Sequence, residues 1–245
     1  MVKLIPFFSV IMNTFEGDRF IKRAIDSILN QSFKDFELVV VVNGSTDNTI
    51  EILKEYKDCR IKVLVLDRTI DLGAAREYAI KNCAGLWVCF LDDDDELVKN
   101  ALKVRAWAIK ILMLFMASKS IGLHSAIHIR DNRSLKKAGL WSIGKKILLS
   151  IFIEDRLHNY FYEWSSVVIP REIIKDIEIP AKVNIISDKY IVCFASLNGV
   201  RFIPLPAALS IYFKNDSGLW FNRQDIVPKE ENILRTTLME FTNAD

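Results

Sequence analysis

Five consecutive acids, Asp92-Asp93-Asp94-Asp95-Glu96, follow the apolar run Leu86-Trp87-Val88-Cys89-Phe90-Leu91. Adjacent carboxylates repel one another, and packing gives no reason for five in a row. A cluster of hard oxygen donors suits a bound divalent cation, Mg2+ or Mn2+. The competing reading is a solvated acidic turn that opens the next helix, because Asp and Glu stabilise helix N-termini. The remainder of the chain has to decide between them.

The elements that would carry these acids are legible from periodicity. Leu86 to Leu91 reads as a buried strand, and Phe7 to Met12 as an earlier one. Phe20, Ile21, Ala24, Ile25, Ile28 and Leu29 share one helical face. Phe36 to Val42 is a strand covered on both faces and ends at the turn pair Asn43-Gly44. Asn48 with Glu51 is a capping signature for a helix carrying Ile50, Ile52 and Leu53. Ile61 to Leu66 predicts a third strand, and Leu72 to Asn82 a helix whose Ala74, Ala75 and Ala79 permit close packing. Strands alternating with helices in this way are βαβ units on a parallel sheet. Ligands bind such sheets beyond the C-terminal strand ends. Asn13-Thr14-Phe15, Asn43-Gly44-Ser45 and Asp92 to Asp95 should therefore converge.

The second half is less regular. Leu97 to Ala117 predicts a helix, and Leu123 to Ile129 a strand turning at Asp131-Asn132. Residues 133–163 carry no clean period. Ser165 to Ile169 predicts a strand, Pro170-Arg171-Glu172 opens a short helix, and Ser187 or Asp188 begins another that Asn198-Gly199 closes after Leu197. Val200 to Ile203 and Ala208 to Phe213 read as two edge strands separated by Pro204 and Pro206. No repeat, low-complexity tract or linker divides the chain, so a single domain over 1–245 is expected.

Composition narrows the classes. The 245 residues are 51% hydrophobic and 26% charged, as in an ordinary globular protein. A net charge of +2 gives no footprint for nucleic acid. Cys59, Cys83, Cys89 and Cys193 form no CxxC pair and read as buried free thiols of a reducing compartment. The first twelve residues lack the charged region and cleavage site of a signal peptide. No run is long and apolar enough to cross a bilayer, which points to a cytoplasmic protein. Lys136-Lys137 and Lys145-Lys146, beside apolar Ile147 to Ile153, could rest on an anionic membrane or form a solvated basic loop. A GxGxxG turn and a GxxxxGK[ST] loop are both missing, which removes dehydrogenase and P-loop readings. A haloacid-dehalogenase-type phosphatase would want DxDx[TV] after the first strand, whereas these acids follow the fourth and carry Glu96 at the last position.

Four ordered segments carry a resemblance. They are Ser9-Val10-Ile11-Met12-Asn13-Thr14-Phe15 with Ala24 to Ser32, Phe36 to Val39 with Gly44 to Thr49, Leu72 to Ile80, and Phe90 to Leu97. Together they resemble the N-terminal signature of family 2 inverting glycosyltransferases. The likeness is close over 7–102 and fainter at Ser165–Arg171 and from Ser187 to about Ser217. It implies an α/β protein of GT-A type, a Rossmann-like, mostly parallel sheet flanked by helices. Residues 1–102 would bind the nucleotide sugar, and the more divergent 103–245 would bind a glycan or lipid-linked acceptor. The implied activity is transfer of a sugar from a nucleotide-diphosphate donor, UDP-sugar favoured, to a hydroxyl in polysaccharide or lipid-linked glycan synthesis.

By the same resemblance, Asp92 and Asp94 hold Mn2+ or Mg2+ as the DxD motif and Asp93 lies near the ribose. Asp95 and Glu96 fall to the helix start. Phe15 would stack on the nucleobase, with a core position as its alternative. Arg76 would face the nucleotide, with a surface arginine as its alternative. The family's usual Asp-Asp-Gly-Ser is Val42-Asn43-Gly44-Ser45 here; Asn43 can still accept a bond from a uracil-type N–H. Inversion needs a carboxylate to deprotonate the acceptor. Asp188 fits the family context better than Asp155 of the literal Glu154-Asp155 pair, and a plain N-cap is the alternative. The family's late histidine is missing from Tyr212 to Asp216, leaving Asn215 or Asp216 as substitutes. His124, His128 and His158 match no family position. A rival reading is a non-catalytic relative that keeps the nucleotide pocket.

Overall fold

A computed structural model describes residues 5–115, 120–131, 134–138, 164–213 and 226–242. Among these residues nine strands form one sheet in the order β3-β2-β1-β4-β8-β6-β9-β5, with β7 hairpinned onto β6. The strands are β1 Phe8–Thr14, β2 Phe36–Asn43, β3 Ile61–Leu66, β4 Trp87–Phe90, β5 Glu96–Leu97, β6 Ile121–Asp131, β7 Ser134–Ala138, β8 Val167–Pro170 and β9 Arg201–Phe213. The helices are α1 Ile21–Leu29, α2 Thr49–Glu55, α3 Leu72–Lys81, α4 Ala101–Phe115, α5 Arg171–Ile174, α6 Ser187–Leu197 and α7 Val227–Thr242. β1 to β4 pair in parallel, and β6 and β9 run the same way, while β5, β7 and β8 run opposite. The expected mixed, mostly parallel α/β sheet is therefore present.

Side-chain alternation splits the core between the two sheet faces. Phe8, Val10 and Met12 of β1 join Leu38, Val40 and Val42 of β2 against α1 and α4. Ile11, Val39 and Val41 face the other way, against Ala75, Ala79 and Ile80 of α3 and Tyr190, Ile191 and Ala195 of α6. The valine run of β2 is covered on both sides, as its sequence requires.

Four expectations need correction. α4 begins at Ala101, because Glu96-Leu97 pair with Ile211 and Ser210 of β9 instead of opening the helix. Val200 precedes a single strand, Arg201–Phe213, where two were expected. Pro204 and Pro206 are tolerated because β6 pairs along one side, the register shifts between Ser125 and Ile127, and among the described residues the other side meets only β5 near the strand's end. Trp164–Ser166 is a 3-10 turn, so β8 starts later than expected. Asn48 makes no side-chain cap; the Asp47 carboxylate accepts from the Thr49 N–H instead, at 3.1 Å.

All four cysteines are free; Cys83 and Cys89 are buried as expected, but Cys193 is only partly buried and Cys59 is exposed. Among the described residues no helix is long and apolar enough to cross a membrane. Asp155, Asn215, Asp216, His158, Lys145, Lys146 and Ile147 to Ile153 lie outside the described residues.

Candidate active site

Three loops meet beyond the C-terminal ends of β1, β2 and β4, and side chains stitch them together. The Thr14 hydroxyl donates to Asp93 Oδ2 at 2.5 Å. Gly17 passes this pair so closely that a Cβ there would lie 2.2 Å from Thr14 Oγ1 and 2.6 Å from Asp93 Oδ2. Glu16 takes a left-handed conformation, φ 53°, which bulky residues avoid. Its carboxylate accepts from the Thr46 N–H at 2.8 Å and the Thr46 hydroxyl at 3.0 Å, binding the first loop to the second. The turn leaves Phe15 outside the core, 51% exposed at the mouth of the site. A core role for Phe15 is thereby removed.

Asn43 ends β2 and is buried. Its amide donates to the Ile70 C=O and accepts from the Ile70 N–H, both at 2.9 Å. An amide matches a peptide unit in this two-point pairing, and a carboxylate would repel the carbonyl. Asn43 therefore pins the segment that leads into α3.

The acids divide as their surroundings dictate. Asp92, Asp93 and Asp94 are half-buried in the concavity. Desolvation is the largest effect on Asp92 and Asp93. It raises Asp92 above the usual carboxylate range, opposed by Arg76 and reinforced by Asp94 and Asp188. It pushes Asp93 up to about 7 despite the Thr14 hydroxyl, with Asp94 and Asp92 adding to the rise. Asp95 is 1% exposed, and its carboxylate accepts from the Phe213 N–H at 3.1 Å. Glu96 pairs with Arg23 at 3.1 Å. These two acids serve β9 and α1, not a helix start. Arg23 also donates to the Asp94 carbonyl and lies 3.6 Å from the Phe213 ring centroid, so α1 and β9 hold the acid loop between them.

Arg76 is no surface arginine; it is 5% exposed. It donates to Ser187 Oγ at 2.8 Å and lies 3.9 Å from Asp188 Oδ1, where α6 begins. Its guanidinium sits 4.8 Å from the Trp164 ring, which stacks on Phe90 at 3.6 Å. The start of α6 is fixed from behind by Glu230 of α7, whose carboxylate accepts from the Asn184 and Ile186 N–H groups at 3.0 and 3.1 Å. Sequence reasoning overlooked Trp164, Arg23, Phe213 and Glu230. Only Trp164 left a signal, an aromatic directly ahead of the expected strand.

Asp92 thus lies within electrostatic reach of Arg76, Asp94 and Asp188, and Asp93 is bonded to Thr14, while Phe15 and Asn43 stand at the ends of the neighbouring strands β1 and β2. His124 lies apart on β6, where burial lowers its imidazole to about 4 and keeps it neutral. Among the described residues no three His, Cys, Asp or Glu side chains form a closed metal cage. Mg2+-type sites need none: one or two carboxylates suffice when a diphosphate and water complete the shell. The crowded, partly exposed carboxylates Asp92 and Asp94 fit that description.

Residues 9–109 match the family model of Glycosyl transferase family 2. The chain is 28% identical over 212 residues to UDP-Glc:alpha-D-GlcNAc-diphosphoundecaprenol beta-1,3-glucosyltransferase WfgD of Escherichia coli, covering 79% of this chain and 80% of that one. The crystal structure of Staphylococcus aureus TarS 1-349 superposes with a TM-score of 0.69 at 26% identity, covering 84% of this chain and 60% of that one. The same fragment in complex with UDP gives 0.68 at 25% identity, over 96% and 70%. Residues 9–109 thus match the family 2 glycosyltransferases, and the chain has the mixed α/β, GT-A-type fold of its TarS neighbours.

Proposed function

We propose that this chain is a metal-dependent, inverting glycosyltransferase that moves a sugar from a nucleotide-diphosphate donor, UDP-sugar favoured, to a hydroxyl of a glycan or lipid-linked acceptor. The observation that carries the reading is Arg76, which lies 3.9 Å from Asp188 Oδ1 and within electrostatic reach of Asp92 in the acid loop. The UDP complex of TarS and the lipid-diphosphate acceptor in the name of WfgD support the donor and acceptor classes.

When bound, Mn2+ or Mg2+ supplies Lewis-acid stabilisation of the charge that develops on the departing diphosphate. Asp94 and Asp92 would hold it. Phe15 presents an exposed ring to the nucleobase, Asn43 borders the base, and Asp93, braced by Thr14, faces the ribose. Arg76 balances negative charge behind the diphosphate and orients Asp188 through the start of α6. Asp188 takes the proton from the acceptor hydroxyl as its oxygen bonds to the anomeric carbon. The bond from that carbon to the diphosphate oxygen breaks on the opposite side, so the configuration inverts.

Calorimetry with UDP and GDP, with and without Mn2+, tests the reading. UDP binding should need the metal, and Asp94→Ala should remove that dependence. Absence of nucleotide binding would overturn the proposal. The engagement of both ends of the Asn43 amide by Ile70 favours a second reading, a non-catalytic nucleotide-binding partner subunit. Binding without turnover across a donor screen would decide for it.

A further inference from the structure

Of the ten exposed large hydrophobic residues among the described ones, four lie on α4: Trp107 at 72%, Met113, Leu114 at 82% and Phe115 at 83%. Lys103, Trp107, Lys110 and Leu114 recur at i, i+4, i+7 and i+11, a single stripe along the helix. Leu102, Arg105, Ala106 and Ile109 turn inward to the core. No acid occurs from Ala101 to Phe115, and Lys99 precedes the helix. Exposed Trp107, Leu114 and Phe115, interleaved with lysines, mark this face as an interaction surface.

The charge identifies what it meets. A second copy docking through the same face would set Lys103 and Lys110 against their own counterparts with no acid on the helix to offset them. An anionic lipid surface satisfies both features: Trp, Leu and Phe enter the headgroup boundary while lysine ammonium groups reach phosphates. The helix is about 22 Å long, enough to lie in that boundary. It starts six residues after Asp95, so its N-terminal end is tied to the acid loop.

We propose that α4 lies in the surface of an anionic membrane through Trp107, Leu114 and Phe115, with Lys103 and Lys110 on lipid headgroups. The mouth of the site then runs alongside the bilayer, where the sugar of a lipid-linked acceptor is held. This last step rests on the acceptor class proposed above.

The test is flotation of the full chain, without nucleotide, on vesicles of phosphatidylglycerol and phosphatidylcholine against phosphatidylcholine alone. Binding should require the anionic lipid and weaken as salt is raised. Replacing Lys103 and Lys110 by glutamine should weaken it roughly thirtyfold, about fivefold per lysine. The combined Trp107→Ser, Leu114→Ser and Phe115→Ser variant should lose at least about tenfold. These exposed substitutions should leave calorimetric UDP binding unchanged. No flotation with anionic vesicles at low salt, or flotation indifferent to the triple variant, would overturn the proposal. So would a dimer in sedimentation that the triple variant dissolves, which would give the face to a second copy. Because flotation is read without nucleotide, its failure leaves the UDP result standing, and the converse holds as well.

Discussion

Asp188→Asn keeps the shape of the side chain and removes its basicity, which separates binding from turnover. If Asp188 is the base, kcat should fall by about 10²–10⁴ while metal-dependent UDP affinity stays nearly constant. Steady-state kinetics beside calorimetry would show the split, and a parallel loss of UDP affinity would instead give Asp188 a binding role. Asp93 makes a separate, pH-dependent prediction. Its folded pKa is raised from 3.8 to about 7, so between these values the folded protein holds more protons than the unfolded chain. Stability of the metal-free protein should therefore fall as pH rises through this window. Metal-assisted UDP binding, which needs the ionised acids, should strengthen over the same range. Asp93→Asn should flatten the stability profile measured by thermal unfolding at a series of pH values. Asp92 to Asp94 were legible in the sequence because packing alone gives no reason to crowd carboxylates at a strand's C-terminal end. Asp95 and Glu96 were misread because their partners, Phe213 and Arg23, lie far away in the chain.

At the scale of elements, the acid loop is held by a helix and a strand that the sequence does not connect to it. Arg23 of α1 reaches the Asp94 carbonyl, the Glu96 carboxylate and the Phe213 ring together. A planar guanidinium can serve all three; an ammonium cannot. Arg23→Ala should weaken Mn2+-dependent UDP binding by roughly fivefold to tenfold, and Arg23→Lys by nearly as much. Full rescue by lysine in calorimetry would show that charge alone matters there. The parallel strands β1 to β4 and helices α1 to α3 followed from local periodicity, since each shows a clear apolar pattern, even though β4 pairs with the distant β1. In the second half α5, α6 and the middle of β6 were legible in the same way, but the course of β9 and the anchoring of α7 were not, for a physical reason. β9 runs through two prolines because pairing with β6, more than seventy residues earlier, overrides its local preferences. α7 has its anchor, Glu230, beneath the turn at Asn184 to Ile186, a contact that no local pattern announces.

For the whole molecule, the question is whether the N-terminal and C-terminal halves unfold separately. The sheet does not stop between them: β4 pairs with β8 through Trp87–Pro170, Val88–Ile169 and Cys89–Val168. The core beneath α3 mixes residues of both halves, with Phe90 stacked on Trp164 and Ala79 in the same cluster as Ile191. A fragment ending near residue 115 would leave β4, buried along its whole length, as an exposed apolar edge. That fragment should aggregate rather than fold, and the full chain should unfold in one cooperative transition with equal calorimetric and van't Hoff enthalpies. UDP with Mn2+, at about one hundred times its dissociation constant, should add about 2.7 kcal/mol and raise Tm by roughly 5–10 °C. The whole transition should move, because the site draws on β1, β2, β4 and α6 at once. Two separate transitions, with only the earlier or the later one shifted by UDP, would mean that the halves fold independently and that Arg76 joins them only at the surface of contact.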